Sequence, residues 1–455
     1  MKKISIFIFA IFISFALTSK IEQARAKDNS DGKIFDSLKL FTDVISIVQR
    51  DYVKQVDSRK LIEGAIRGMI TELDPHSAYL DPDYFKDLQA QTDGEFGGLG
   101  IEISVKDGLL VVVTAMEGSP AEKAGLKSGD AIVKIDGKFA KGLSFIEAIK
   151  RLRGPKGSSV TVTVQRSGRN ELLDFKVVRD KIEVKSVRGR YLDNEIGYIK
   201  VNQFVKRSSE EIEKHLKSIK QQVPGEQLKG LILDFRNNPG GLLTQAVAIA
   251  DLFIKSGVIV YTDGRIKEQK KEFFASGRGT EPDYPIVVLI NGGSASASEI
   301  VAAALKDHGR AVVVGTQSFG KGSVQTVMPL ENGWALSLTT ALYYTKSGRS
   351  IQSTGVVPDI EISDGGGEDT RGGGITIREG DLPGAIANPN NIKKNGELND
   401  ASSGAKGTSS TSSLPGEIVV LEKVDLKQLF ERDRQLNKAY EILKTFEIFG
   451  AKLRS

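Results

Sequence analysis

The stretch PIVVLINGGSASASEIVAAALKDH, Pro285 to His308, decides the fold. Its opening apolar run, PIVVLI, reads as a buried strand. Asn291-Gly292-Gly293 permits a tight turn. Ser294, Ser296 and Ser298 then lead into an Ala-rich helix. Strand, glycine turn and helix make one α/β unit. A helix start also offers free backbone N–H groups and the positive end of a dipole to a developing oxyanion. Two roles stay open for the serines on these grounds: a nucleophile, or plain helix caps.

Outward from this stretch the same texture continues. IGYIKV (196–201), LKGLILDF (228–235) and AVVVG (311–315) read as further buried strands. Helical patterns lie between them at 208–220, 242–254 and 297–307. Before residue 180 the texture is β-rich. Strands at 101–105, 109–116, 131–137 and 160–166 are interrupted by helical patches at 120–126 and 144–152. Earlier still, Ile34, Leu38, Phe41, Ile45, Val48 and Tyr52 fall on one helical stripe, and Ile62, Ile66, Met69 and Leu73 on a second. Residues 364–415 hold eleven Gly, six Ser and no aromatic residue, which reads as a flexible linker. Leu436, Ala439, Tyr440, Leu443 and Phe446 mark a last amphipathic helix, which the long linker is expected to detach from the core.

The expected fold class is a multidomain α+β to α/β chain. Its parts are a signal peptide at 1–26, a helical region at 33–93, a β-rich module at 94–180, an α/β core at 181–363, the linker at 364–415 and a helical tail at 416–455. The 455 residues fit about three domains.

Composition narrows the chemistry. The chain has no Cys, which excludes disulfides, a thiol nucleophile and thiolate metal sites. Its three His, at 76, 215 and 308, are scattered. Of the formal charge of +5, Lys2, Lys3, Lys20 and Arg25 against Glu22 supply +3, so the remainder carries +2. That is no electrostatic footprint for nucleic acid. Met-Lys-Lys precedes an apolar run, Ile4 to Leu17, of 14 residues, and Ala24-Arg25-Ala26 follows. A membrane span needs about 20 apolar residues, so this reads as an export signal with a cleavage site. A short uncleaved anchor is the alternative. The expected location is the bacterial periplasm, soluble or associated with the inner membrane.

A serine nucleophile needs a base. His308 ends the helix that Ser296 begins, and no G-x-S-x-G elbow occurs. Lys321, in Ser318-Phe319-Gly320-Lys321-Gly322-Ser323-Val324-Gln325, is the other known type of base. In an extended segment Gln325 would share its face and could orient the amine. A Gly-rich hairpin with a solvated lysine is the plain alternative. A lysine base must fall from a pKa of about 10.4 to about 7 or 8, which is about 4 kcal/mol of burial and neighbour effects.

Several stretches together resemble the C-terminal processing peptidases, also called tail-specific proteases. They are LDPHSAYLDP (73–82), FGGLGI (96–101), SPAEKAGLKSGDAIVKIDG (119–137), LDFRNNPGGLL (233–243), NGGSASASEI (291–300), FGKGSVQ (319–325) and YYTKSGRSIQSTGVVPDIEI (343–362). DRQLNKAYEILK (433–444) is similar to the family's last helix. The resemblance implies a serine endopeptidase with a Ser/Lys dyad and a PDZ domain. Ser296 would be the nucleophile, Lys321 the general base and Gln325 its positioner. The backbone N–H of Ala297 and that of Gly240 or Gly241 would form the oxyanion hole. Asp307 matches an acidic position of some members, with a salt-bridge role open beside it. The β-rich module resembles a PDZ domain. Gly98, Leu99, Gly100 and Ile101 would bind a peptide carboxylate, because glycines let consecutive N–H groups converge on it. Arg153 would couple substrate contact to the catalytic half, or simply stabilise a turn.

The implied partners are protein substrates held by their C-terminal tails. Neither metal nor nucleotide cofactor is implied. The terminal helices would mediate a homodimer or pack within the chain. Three rivals remain. Ser318-x-x-Lys321 is also the penicillin-binding-protein signature, without its S-D-N and K-T-G companions. A non-catalytic PDZ scaffold would have no need of Ser296, Lys321 and Gln325 together. A Ser/His protease with a PDZ domain lacks placed histidines and has the opposite domain order.

Overall fold

The computed structural model describes residues 34–106, 109–116, 118–141, 143, 145–169, 171–193, 195–363, 377–392 and 426–454. The signal-peptide expectation lies outside them. Among the described residues no helix is long and apolar enough to cross a membrane.

The chain divides into two units, Met1–Leu73 and Asp74–Ser455. The first holds the two expected helices, 34–51 and Ser58–Thr71. Asp57 caps the second by accepting from the Arg59 N–H. Ile34, Phe35, Leu38 and Phe41 of the first are exposed.

In the second unit, the β-rich module is a six-stranded antiparallel sheet, in which the short strand Lys138–Phe139 pairs with Ala131–Ile135 to the side of a five-strand path. That path runs in the order Ile101–Lys106, Leu109–Ala115, Ala131–Ile135, Ser159–Gln165 and Leu172–Val178. Val160, Val162 and Val164 alternate inward onto Val112, Ile132 and Ile135. Ile101–Lys106 is an edge strand. The chain enters and leaves the module through one two-stranded ribbon, Glu95–Gly98 against Asp180–Glu183.

The core sheet has six strands ordered as in the sequence: Val187–Tyr191, Ile196–Val201, Gly230–Asp234, Ile286–Ile290, Val312–Gly315 and Ile360–Glu361. Only the first pair is antiparallel. Both central strands are buried throughout, which explains their unbroken apolar runs. Leu231, Leu233, Val288 and Ile290 face the helices Ser208–Lys220, Leu243–Asp251 and Ala297–Asp307. Ile232, Val287, Leu289 and Val314 face the tail. Three parallel strands end at one edge, and the loops after them carry Asn237–Gly241, Asn291–Ser296 and Ser318–Lys321. Crevices at that edge are where α/β sheets bind ligands.

A second, antiparallel sheet went unread in the sequence. Ala335–Thr345 is its spine, flanked by Ala78–Leu80, Val258–Gly264 and Ser323–Pro329, with Lys271–Phe274 beyond. It brings Tyr343 and Gln325 over the edge of the core sheet.

Two expectations for the C-terminal part fail. The tail is not detached. Leu436, Ala439, Tyr440 and Leu443 of helix Arg434–Arg454 cover the second face of the core sheet, although Phe446 is exposed. Arg236 joins them, forking onto Asp433 at 2.8 and 2.7 Å and onto Asp234. The apolar cost of leaving that sheet face wet overrides the linker's length. Within the expected linker, residues 377–392 are packed, with Glu379 and Asn388 buried. Polar side chains tie that segment down where apolar residues are scarce.

Leu443 fills the space over Gly230. Leu443→Ala should therefore cost about 2–4 kcal/mol of stability, read as a lowered unfolding midpoint in urea. An unchanged midpoint would contradict the docked tail.

Candidate active site

The turn after Ile290 is built from side-chain hydrogen bonds. Asn291 N–H donates to Ser294 Oγ at 2.9 Å, and the Ser294 hydroxyl donates to the Phe235 carbonyl at 2.9 Å. Asn291 Oδ1 accepts from the Asn237 and Gly293 N–H groups. The Ser298 hydroxyl donates to the Asn238 carbonyl. Ser294 and Ser298 are thus fully buried and committed. Ser296 is only half-buried, and it stands at φ 56°, ψ −113°, a strained conformation for a non-glycine residue. Its Oγ lies 2.7 Å from the Tyr343 hydroxyl. Burial raises Tyr343 well above the usual tyrosine value, so that hydroxyl keeps its proton.

Two backbone donors are unspent, one directly after Ser296 and one directly after Gly240, the glycine that packs against Ser296. The Ala297 and Gly241 N–H groups take no acceptor among the described residues. Gly240 is different: its N–H donates to Asn238 Oδ1 at 2.9 Å. Both glycines are required by space. A Cβ on Gly240 would lie 2.8 Å from Ser296 Cβ, and one on Gly241 would lie 2.1 Å from the Phe204 carbonyl.

Lys321 follows the strand Val312–Gly315 and is half-buried. Burial lowers its pKa, against the opposing charges of Glu379, Asp74 and Glu299. Its amine takes no hydrogen-bond partner among the described residues, and no bond joins it to Ser296. Gln325 does not reach it either. A β-bulge between Val324 and Gln325 shifts the register, and the Gln325 amide donates to Ser323 Oγ and Thr339 Oγ1.

Glu299 was missed. It is fully buried and accepts four hydrogen bonds: from the Ser296 N–H (2.7 Å), the Gly320 N–H (2.7 Å), the Lys321 N–H (3.0 Å) and the Ser318 hydroxyl (2.5 Å). One carboxylate therefore ties the Ser296 turn to the Lys321 loop. The spacing Ser296-x-x-Glu299 was a capping-box signal that could have found it, although the serine hydroxyl goes to Tyr343 instead. Burial pushes Glu299 up to about 7, even though the four bonds pull the other way. Tyr343 carried no signal, because its role depends on the unread sheet.

The remaining expected residues fall as follows. Ser318 lies on no helix. Its Oγ donates to Glu299 and accepts the Val356 N–H, so it is not poised as an S-x-x-K nucleophile. His308 Nε2 meets the Val258 carbonyl at the far end of the helix. Asp307 is also at that end and accepts from the Ser347 N–H. His76 bonds Glu379, and neither it nor His215 meets Ser296. In the β-rich module, the Leu99 and Gly100 carbonyls are tied inward by the Ala121 and Met116 N–H groups. The N–H groups of Leu99 and Gly100 have no partner among the described residues, and Gly98 and Ile101 continue the backbone on either side. Arg153 lies over the Phe96 ring. Among the described residues no cluster of three or more His, Asp or Glu could hold a metal ion.

Comparison with known proteins identifies the family. Residues 195–362 match Peptidase family S41, residues 111–166 a PDZ domain, and residues 9–84 the N-terminal domain of the activating protease CtpB. A carboxy-terminal-processing protease of Bartonella bacilliformis is 42% identical over 443 residues, 97% of this chain and 96% of that one. The chain belongs to peptidase family S41. It is a C-terminal processing protease of that family, a serine-type peptidase carrying a PDZ domain. The carboxy-terminal processing protease CtpA of Bacillus subtilis is 37% identical over 69% of this chain and 66% of its own length. The solved photosystem II D1 C-terminal processing protease is 30% identical, with a TM-score of 0.42 over 71% of this chain and 92% of that one.

Glu299→Gln would turn an NH2 towards groups that themselves donate. Peptidase activity should fall about 10- to 100-fold. The Glu299 carboxyl sits above its ordinary value, so its contribution to stability is present below about pH 4.5 and is lost as pH rises to about 7. Denaturation of both forms across that window checks this: the wild type should lose stability relative to Glu299→Gln, and a constant difference would contradict the shift.

Proposed function

We propose that this peptidase cleaves through a Ser296/Lys321 dyad. The observation that carries the reading is the pair of unspent N–H groups, Ala297 directly after the strained Ser296 and Gly241 directly after Gly240, which packs against it. Such donors stabilise the oxyanion of an acyl-transfer step. Neutral Lys321 takes the Ser296 proton as Oγ attacks the scissile carbonyl. The amine leaves with that proton, and an acyl-enzyme forms. Water then attacks the ester, giving a proton to Lys321, and Lys321 returns a proton to the departing Ser296 oxygen, which restores the hydroxyl and the neutral amine. For this the Ser296 hydroxyl exchanges Tyr343 for Lys321, and Gln325 turns from Ser323 towards the amine. Partial burial of Lys321 favours its neutral form.

Substrates enter by their C-terminal tails. The free N–H groups of the Gly98–Ile101 loop suit a carboxylate, and the edge strand Ile101–Lys106 suits an added peptide strand. The apolar leader and Ala24-Arg25-Ala26 support export to the periplasm, as a soluble or an inner-membrane-associated form. The exposed apolar side chains of helix 34–51 support a homodimer through that helix. The tail helix is already covered by the core sheet.

Cleavage of an unstructured protein with an apolar C-terminus tests the dyad. Ser296→Ala and Lys321→Ala should each lower the rate by about four orders of magnitude, and Ser318→Ala should stay active. Full activity of Ser296→Ala would remove it as nucleophile. Binding of the corresponding tail peptide tests recognition. Amidating the terminal carboxyl should weaken binding about tenfold or more, and equal binding of both forms would contradict a carboxylate site.

A further inference from the structure

The segment 377–392 has no part in the mechanism above, yet it enters the site. Glu379 opens a short 3-10 turn, Glu379–Asp381, and is 1% exposed. Its backbone N–H donates to the Phe319 carbonyl, two residues before Lys321. Its carboxylate meets His76 Nε2 at 2.9 and 2.8 Å and accepts from the Gln352 amide at 3.0 Å. Gln352 is fully buried, and its Oε1 accepts the Gly322 N–H at 2.8 Å. A continuous path thus runs from His76 through Glu379 and Gln352 to the residue after Lys321.

The far end of the segment is anchored on the same loop. Asn388 Nδ2 donates to the Gln352 and Ser350 carbonyls, and Asn390 Oδ1 accepts the Ser350 N–H. Gln352 Nε2 and the Ser353 hydroxyl both donate to the Ile386 carbonyl. These bonds would hold a strap in place without any carboxylate. Burying one is costly unless it interacts with other charges. The charge at Glu379 therefore calls for a reason beyond fastening.

We propose that the strap 377–392 is part of the active site, and that Glu379 is a positioning residue that sets the pH at which Lys321 can act. This rests on the reading of Lys321 as the general base. The carboxylates whose charge acts on the amine are Glu379 from the strap, Asp74 from the turn that also carries His76, and Glu299 from the nucleophile helix. Asp74 is held by the His76 and Ser77 N–H groups, the Ser77 hydroxyl and Thr339. Glu299 is held by its four donors. Glu379 alone of the three comes from a segment that follows the last strand of the core sheet in the chain. Burial would raise its carboxyl, but the His76 and Gln352 bonds outweigh burial and hold it below the ordinary value. It is ionised over the working range. A negative charge there favours the protonated lysine, so Glu379 holds the base back at lower pH.

The test is the pH profile of kcat/KM for the full chain on an unstructured protein substrate, whose rising limb reports the free enzyme's base. Glu379→Gln keeps the shape and removes the charge. Its rising limb should move to lower pH by about half a unit or more, with higher activity than wild type on the acid side. An unmoved limb overturns the proposal, since a merely structural strap would change the height of the profile and not its position. Glu379→Asp keeps the charge and withdraws it by one carbon–carbon bond, and should move the limb the same way by less. If thermal unfolding shows that Glu379→Gln does not fold, an unmoved limb in Glu379→Asp overturns the proposal instead. Lys321→Ala, run alongside, separates the two levels. If it remains active, the reading of Lys321 as base fails. If it is inactive while the Glu379 limb stays put, only the role of Glu379 fails.

Discussion

Four hydrogen-bond donors from two separate loops converge on the single buried carboxylate of Glu299. Everything else about the site depends on that convergence. A buried carboxylate with unfilled acceptors would be costly, so the loops carrying Ser296 and Lys321 are held at one mutual distance. Neither loop is rigid by its own sequence, since both are rich in glycine. The strain at Ser296 is likewise sustained from outside. The helix behind it is buried in the core cluster, and Asn291, Ser294 and Ser298 pin the turn before and after it.

The core sheet supplies the platform, and two covering layers complete it. Parallel strands deliver three loops to one edge. The antiparallel sheet lays Tyr343 over Ser296, and its Ser323–Pro329 strand carries the Gln325 amide. The tail helix covers the opposite face, and Arg236 bridges Asp433 in the tail to Asp234 at a strand end. Arg236 also begins the turn that presents Gly241. One buried ion-pair network thus ties the tail to the turn that leads to Gly241, and within it Asp234 lies far below the usual carboxylate range. Burial would raise it, and Arg236 and Lys200 outweigh burial.

How much was legible in the sequence follows from what encodes each part. Buried parallel strands are apolar runs, so IVVLI and LIL announced themselves. The Val160–Val162–Val164 alternation did the same for the PDZ domain. Ser296 could be placed at a helix start, but only the hydrogen bonds of Ser294 and Ser298 leave it as the one serine of the three whose hydroxyl is not spent on a backbone carbonyl. The antiparallel sheet was opaque because its flanking strands are half-exposed and mixed in polarity. Tyr343 and the Gln325 bulge were lost with it. Residues 377–392 were misread for a related reason. Their order comes from Asn388, Gln352 and Glu379 hydrogen bonds, and a composition rule built on apolar content cannot register those. Chain-distant pairs such as His76 with Glu379 leave no local pattern at all.

The proposed dyad requires that Ser296 reacts and that Lys321 makes it reactive. A fluorophosphonate probe, followed by mass spectrometric mapping of the modified residue, tests both parts without any substrate. One adduct is expected, on Ser296, that forms in the wild type and not in Lys321→Ala at the same pH. An adduct on Ser294, Ser298 or Ser318, or labelling of Ser296 that survives the loss of Lys321, would contradict it.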